Sequence, residues 1–323
     1  MNAKKVLLAS LFVGMFAAGA STAMAAEIID FDINLDATAD YSGSVEDVRR
    51  IQFDLNTQTF QYVQDPGDPV QVGDVFYDRG YGDAGSYRTS SGTSALQSGP
   101  DTLGNQYSMG LLWDELRGVV TGTNTVGDNF VVNANYTSVG TDNFQLFVSD
   151  RNPGFGQDYE AAAAHFSAGE QVMELALVSG NSILEFDSAG GAFIEGTFTF
   201  EFQVVNVLPG FWFTADGIDF ADLLEDEEGA PTFIVSAFAS AGTIQEPGPV
   251  TFFGDDANNV YGDEREGQSL FSETQSTHDG SLRFAVPEPG TLALMGLSLL
   301  ILAGFIGVGG MRRRSNSTHR QAA

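Results

Sequence analysis

Residues 26–286 predict an all-β fold, an antiparallel β-sandwich of jelly-roll-like form, and a C-terminal transmembrane helix is expected after it. Three observations carry this expectation. Runs rich in β-branched and aromatic residues alternate apolar with polar positions, the period of a half-buried strand. Phe198, Phe200 and Phe202 interleave with Thr197, Thr199 and Glu201, which sets a phenylalanine ladder on one face of a strand and polar groups on the other. Clusters of Gly, Asn, Asp and Ser punctuate the runs, and no repeat of fixed period is evident, so a sandwich is expected over a solenoid or a propeller.

At the N-terminus, Lys4 and Lys5 precede an apolar stretch over 6–20 and the small residues Ala23 and Ala25. This order reads as a secretory signal peptide over 1–25, cleaved after Ala25 by signal peptidase once the export machinery has engaged it. The body is expected over 26–253, with strands at 27–35, 48–55, 59–63, 129–136, 143–148, 171–178, 192–208, 211–213 and 232–239. Two helices interrupt it. One, at 157–166, carries the run Ala161 to Ala164, and the other, at 219–228, is ended by Gly229 and Pro231. The Gly-, Ser-, Asp- and Pro-rich stretch 64–104 reads as a long excursion over the sandwich. A polar linker is expected over 254–280, and a last strand at 281–286, where Leu282, Phe284 and Val286 alternate with Arg283 and Ala285.

Residues 26–286 hold eight arginines, no lysine and 42 acidic residues, a formal charge of −34. So acidic a surface has no means of neutralising phosphates, which excludes nucleic acid as a partner. It also repels anionic lipid and polysaccharide unless divalent cations intervene. The chain has no cysteine, so a hydrophobic core rather than disulfides has to hold the fold after export.

The C-terminal end has a distinct order: Pro287-Glu288-Pro289, then an uncharged run of 21 residues over 291–311, then Arg312-Arg313-Arg314. As a helix the run covers ~31 Å, the thickness of a bilayer core. The arginines favour the cytoplasmic side, which leaves 315–323 as a cytoplasmic tail and puts the body outside. Both prolines disfavour helix before Gly290, so an extended, charged knuckle stands at the membrane surface. Motif, span and basic cluster together resemble the PEP-CTERM sorting signal of Gram-negative bacteria over 287–314. The resemblance implies an exosortase as processing partner, the inner membrane as an intermediate, and a final place at the cell surface or in the extracellular matrix, where biofilm exopolysaccharide is a further partner.

Motifs for catalysis are missing. There is no nucleophile elbow, no zinc-protease helix motif and no phosphate-cradling loop, and His165 and His278 stand in no recognisable spacing. Two clusters remain. Asp216, Asp219, Asp222, Glu225 and Asp226 crowd the second helix, where acids at a C-terminal end are disfavoured; they are either a Ca²⁺ site or a solvated acidic end. Tyr77, Tyr81 and Tyr87, beside Asp78, Arg79 and Arg88, either stack on a glycan or pack against the sandwich edge. The sequence thus reads as an exported, non-catalytic surface or matrix protein. A surface hydrolase acting on extracellular polysaccharide, or a plain C-terminally anchored membrane protein, is the alternative.

Overall fold

The computed structural model describes residues 26–65, 70–137, 143–156, 158–187, 193–225, 234–236, 240–242, 251–252 and 260–287. The signal peptide with Ala23 and Ala25, Asp226, Glu288, Pro289, the span 291–311 and Arg312, Arg313 and Arg314 lie outside these residues. Among the described residues, no helix is long and apolar enough to cross a membrane. The described residues between 28 and 286 form one compact unit.

The strands are β1 (Ala26–Ile28), β2 (Phe31–Asn34), β3 (Ser44–Val48), β4 (Arg50–Val63), β5 (Val75–Arg88), β6 (Leu96–Ser98), β7 (Tyr107–Val126), β8 (Asn129–Thr137), β9 (Asn143–Asp150), β10 (Glu170–Asp187), β11 (Phe193–Val207), β12 (Trp212–Thr214), β13 (Ile234–Ser236), β14 (Ser240–Gly242), β15 (Thr251–Phe252), β16 (Glu264–Arg265), β17 (Gln268–Leu282) and β18 (Ala285–Pro287). Two helices are α1 (Tyr159–Ser167) and α2 (Phe220–Glu225). The fold is all-β and antiparallel, as the alternation predicts.

A ribbon of successive neighbours, β4-β5-β7-β8-β10-β11, forms the large sheet. Strand β9 continues the line of β8. Both pair with β7, β8 through Arg117–Val126 and β9 through Tyr107–Leu112, and both pair with β10 along one edge. They therefore act as one interrupted strand. On the outer edge of β4 lies β17, from Ser269 opposite Val63 to Leu282 opposite Ile51. A smaller sheet, β12-β2-β3-β6, shares one core with the large sheet. Phe31 and Ile33 of β2 and Val45 and Val48 of β3 are fully buried with Trp212, Phe211, Phe220 and Phe284. The Trp212 indole N–H donates to the Val172 carbonyl at 2.8 Å, so the largest core side chain leaves no polar atom unpaired.

Three segments depart from expectation. The supposed excursion over 64–104 contains β5, an interior strand of the large sheet. Val75 to Gly82 are buried throughout, so both faces of this strand meet packing and the period of two disappears. The supposed linker over 254–280 contains most of β17, whose Ser272, Glu273 and Ser276 are buried against polar partners on β4. Gln58 donates to Glu273, and the Thr57 and Ser276 hydroxyls bond at 2.6 Å. The longest strand, β7, falls in a stretch that the alternation left unassigned. Its glycines explain why: an added Cβ at Gly110 or Gly118 would collide with the ring of Phe166 or Phe76. Glycine is needed there for aromatic rings to lie flat on the strand.

Both helices form close to where the sequence places them. Asp158 caps α1 by accepting from Ala161 N at 3.0 Å. On its inner side Ala162 and Phe166 are fully buried against Tyr81, Leu112 and Phe147 of the sheet.

Candidate functional site

On the face of the large sheet where Leu55, Thr57 and Thr59 of β4 alternate inward, the facing residue of β5 is Asp78, directly opposite Thr59. Next along the sheet, Leu116 of β7 faces Asp78, and Trp113 lies opposite Gly80. Glycine at 80 is required, because a Cβ there would meet the Trp113 ring. From β17, Ser276 stands opposite Thr57. Rings close the remaining side: Phe144 of β9 stacks on Trp113 at 5.5 Å between centroids, and Phe200 of β11 packs at 6.0 Å from Phe144.

These side chains enclose a cavity of about 40 Å³. It has an aromatic wall, a hydroxyl wall of Thr57, Thr59 and Ser276, and one carboxyl, Asp78. Asp78 is only 6 % exposed. Burial pushes its carboxyl up to about 7, with the hydroxyls of Thr59 and Tyr136 pulling the other way. Its Oδ1 has no hydrogen-bond partner among the described residues. Tyr136 in turn has its phenol pushed up, first by burial and then by the Asp78 charge.

The neighbouring cation does not neutralise Asp78, because strand alternation sends it to the opposite face. Arg79 Nε donates to Gln58 Oε1 and its Nη1 to Glu160 Oε1, each at 2.7 Å, and its guanidinium lies 4.6 Å from the Tyr159 ring centre. That opposite face is strapped by residues 260–267. Arg117 holds Glu266 bidentately at 2.6 and 2.7 Å, and Arg265 lies 4.0 Å over Tyr77. The Arg117 hydrogen bonds bring the Glu266 carboxyl down to about 2. Further along, Asp279, Asp54 and Asp83 stand abreast on β17, β4 and β5. Burial raises Asp54 and Asp83, with the charge of Asp279 adding to the rise at Asp54 and that of Asp54 adding at Asp83.

Of the two alternatives open for the tyrosines, packing is the one seen: the glycan-stacking platform of Tyr77, Tyr81 and Tyr87 does not form. Tyr77, Tyr81 and Tyr87 are 2, 3 and 1 % exposed. Tyr77 donates to Glu266 Oε1 at 2.6 Å under the strap, and Tyr81 donates to the Gly156 carbonyl at 2.6 Å beneath α1. Tyr87 turns into the shared core, its hydroxyl 3.1 Å from that of Tyr107. Packing against the sheet is what these rings do.

The acid cluster also resolves into local roles. Asp219 caps α2: its Oδ1 accepts from Ala221 N at 2.9 Å and its Oδ2 from Gly210 N at 2.6 Å. Asp216 and Asp222 are exposed, and Glu225 ends the helix. No group of three or more His, Cys, Asp or Glu residues suited to a metal ion occurs among the described residues, so the calcium expectation finds no site there. His165, half-buried on α1, sits 2.9 Å from the Asp150 carbonyl and beside Phe155.

What sequence reasoning missed is Asp78 as the centre of a site. Its flanking residues suggested a loop, and its partners arrive from β4, β7, β8, β9, β11 and β17. The available signal was a charged residue between two aromatics and a glycine, Phe76-Tyr77-Asp78-Arg79-Gly80, in a stretch able to form a strand. Comparison of the chain with family models, curated proteins and solved structures found no match to any of them.

Proposed function

We propose that this chain is an exported, non-catalytic surface or extracellular-matrix protein, sorted through a PEP-CTERM-like C-terminal signal and structural or adhesive in exopolysaccharide. The observation that carries this reading is the order Pro287-Glu288-Pro289, uncharged span, Arg312-Arg313-Arg314, at the far end of a chain that begins with an export signal. The body supports it in two ways. Its strands, the longest of 20 residues, build one large sheet around a hydrophobic core that holds the fold without disulfides. Its charge of −34 favours a hydrated, soluble surface after release.

The test is the mass and location of the mature protein in an exosortase-positive host. The expected product begins at Ala26, has lost the segment after the motif and has left the inner membrane. Replacing Pro287 and Pro289 with alanine lets the helix extend outward, so the full-length form accumulates in the inner membrane. A wild-type protein that keeps its intact C-terminus there makes the tail a plain anchor and removes the sorting reading. Incubation with the host's own exopolysaccharide addresses the hydrolase alternative. Glycoside hydrolysis commonly needs two carboxyl groups in partnership. Binding without turnover is the expected result, and released oligosaccharides would overturn the non-catalytic reading.

A further inference from the structure

We propose that the cavity around Asp78 binds a small organic ammonium head of about methylammonium size, held by the carboxylate and by the faces of the surrounding rings. This goes beyond the sorting reading and stands or falls separately from it. A carboxyl oxygen buried without a hydrogen-bond partner is costly unless a cation, a donor or a proton satisfies it. Asp78 Oδ1 is in that position, and among the described residues no basic side chain lines the cavity, since Arg79 is engaged with Gln58 and Glu160 on the other face.

The rest of the wall matches an ammonium group better than it matches water or a metal ion. An N–H₃⁺ head has three donors and no acceptor. Asp78 Oδ1 takes one, and the hydroxyl oxygens of Thr59 and of the Thr57–Ser276 pair take others. The rings of Trp113, Phe144, Phe198 and Phe200 line the rest of the cavity, and aromatic surfaces attract alkylammonium ions. Water would leave those faces unused. A calcium ion asks for six or more oxygen ligands, which this aromatic wall does not provide.

Size sets the class. The cavity of about 40 Å³ is roughly a quarter of the ~150 Å³ cavity that accepts benzene, which leaves room for a head of about two or three heavy atoms. The wall reaches solvent where Thr57, Thr59 and Phe198 are only half-buried, so the head has a way in. Outside, the formal charge of −34 raises the local concentration of any cation.

The experiment is a calorimetric titration of the full-length chain, in detergent and amine-free phosphate buffer at pH 8, with methylammonium chloride. Methanol and potassium chloride at matched ionic strength are the controls. Saturable binding of methylammonium alone is expected. Asp78→Asn should weaken it by about tenfold or more, the loss of one charge-assisted contact. Lowering the pH to 5 should weaken it likewise: Asp78 is then protonated, and Tyr136, the other titratable group facing it, stays neutral. Equal heats with methanol would show an ordinary polar cavity, and equal heats with potassium would show general screening; either overturns the proposal. So does unchanged affinity in Asp78→Asn. If that variant does not fold, Phe200→Leu removes one ring face while keeping the carboxylate, and it must weaken methylammonium while leaving the pH dependence in place; unchanged affinity there sinks the idea.

Discussion

Asp78→Asn is expected to make the protein more stable at pH 8 and to flatten the pH dependence that the wild type shows between about 4 and 8. The argument is one of linkage. Burial lifts the Asp78 carboxyl from 3.8 to about 7, so the folded state holds this proton more firmly than the unfolded state does. Stability from this group is greatest below 3.8, declines as pH rises through the interval up to about 7, and is lowest above it. At ~1.36 kcal/mol per pH unit the full interval corresponds to on the order of 4 kcal/mol. The amide escapes that penalty but forms a poorer match to the Thr59 and Tyr136 hydroxyls, so a net gain of about 2–4 kcal/mol is expected at pH 8.

Urea unfolding of both proteins at pH 4, 6 and 8, in buffer without amines, measures the difference. Asp54 and Asp83 are also raised, but they are shared by both proteins and cancel in the subtraction. Glu266, brought down to about 2, stays charged across the whole window; its contribution is lost only as pH falls from 4.5 toward that value. A wild type whose midpoint does not fall between pH 4 and 8, or an Asp78→Asn variant less stable at pH 8, would contradict the buried-carboxyl account.

The second large effect concerns the contact between Gly118 and Phe76. A methyl group added at Gly118 would fall within the Phe76 ring, which is itself buried and packed edge-on against Tyr136 at 5.2 Å. Gly118→Ala is expected to cost ~1–3 kcal/mol through overpacking. Phe76→Ala, which empties the same volume, should cost ~3–5 kcal/mol. In the double variant the new methyl occupies space the ring has vacated, so the combined loss should be smaller than the sum of the two. A thermodynamic cycle measured by denaturant unfolding checks this, and strict additivity would show that ring and glycine do not press on each other.

That pair also explains which parts of the fold were legible. Strand β11 announces itself because Phe198, Phe200 and Phe202 stack along one face while Glu201 and Gln203 are exposed on the other. Helix α1 was equally open to reading, since the run Ala161 to Ala164 and the cap at Asp158 depend on neighbours within a few residues. Strands β5 and β7 were not. Gly80, Gly110 and Gly118 look like turn residues until it is known that the rings of Trp113, Phe166 and Phe76 lie on them, and that is set by the pairing of strands and the docking of α1. The site failed to show for the same reason: Thr59, Asp78, Ser276 and Phe200 come together only after the whole run of strands from β17 through β4 and β5 to β11 has paired. The tyrosines stayed undecided because an aromatic with a polar tip reads identically whether its hydroxyl reaches solvent or, as with Tyr81, a carbonyl beneath a helix.

The position of β17 beside β4 governs the order in which the protein can be assembled. Along the ribbon from β4 to β11 each strand pairs with one made shortly before it, so those hairpins close short loops early. The β4–β17 ladder joins residues such as Gln58 and Glu273, which lie 215 positions apart along the chain. Until those last residues arrive, the 14-residue β4 is an open edge with its outer backbone groups unpaired, able to capture a strand from another chain. Ser276 sits on that late strand, so the hydroxyl wall beside Asp78 exists only once the edge is sealed, and a nascent chain that has not reached β17 has no cavity to fill.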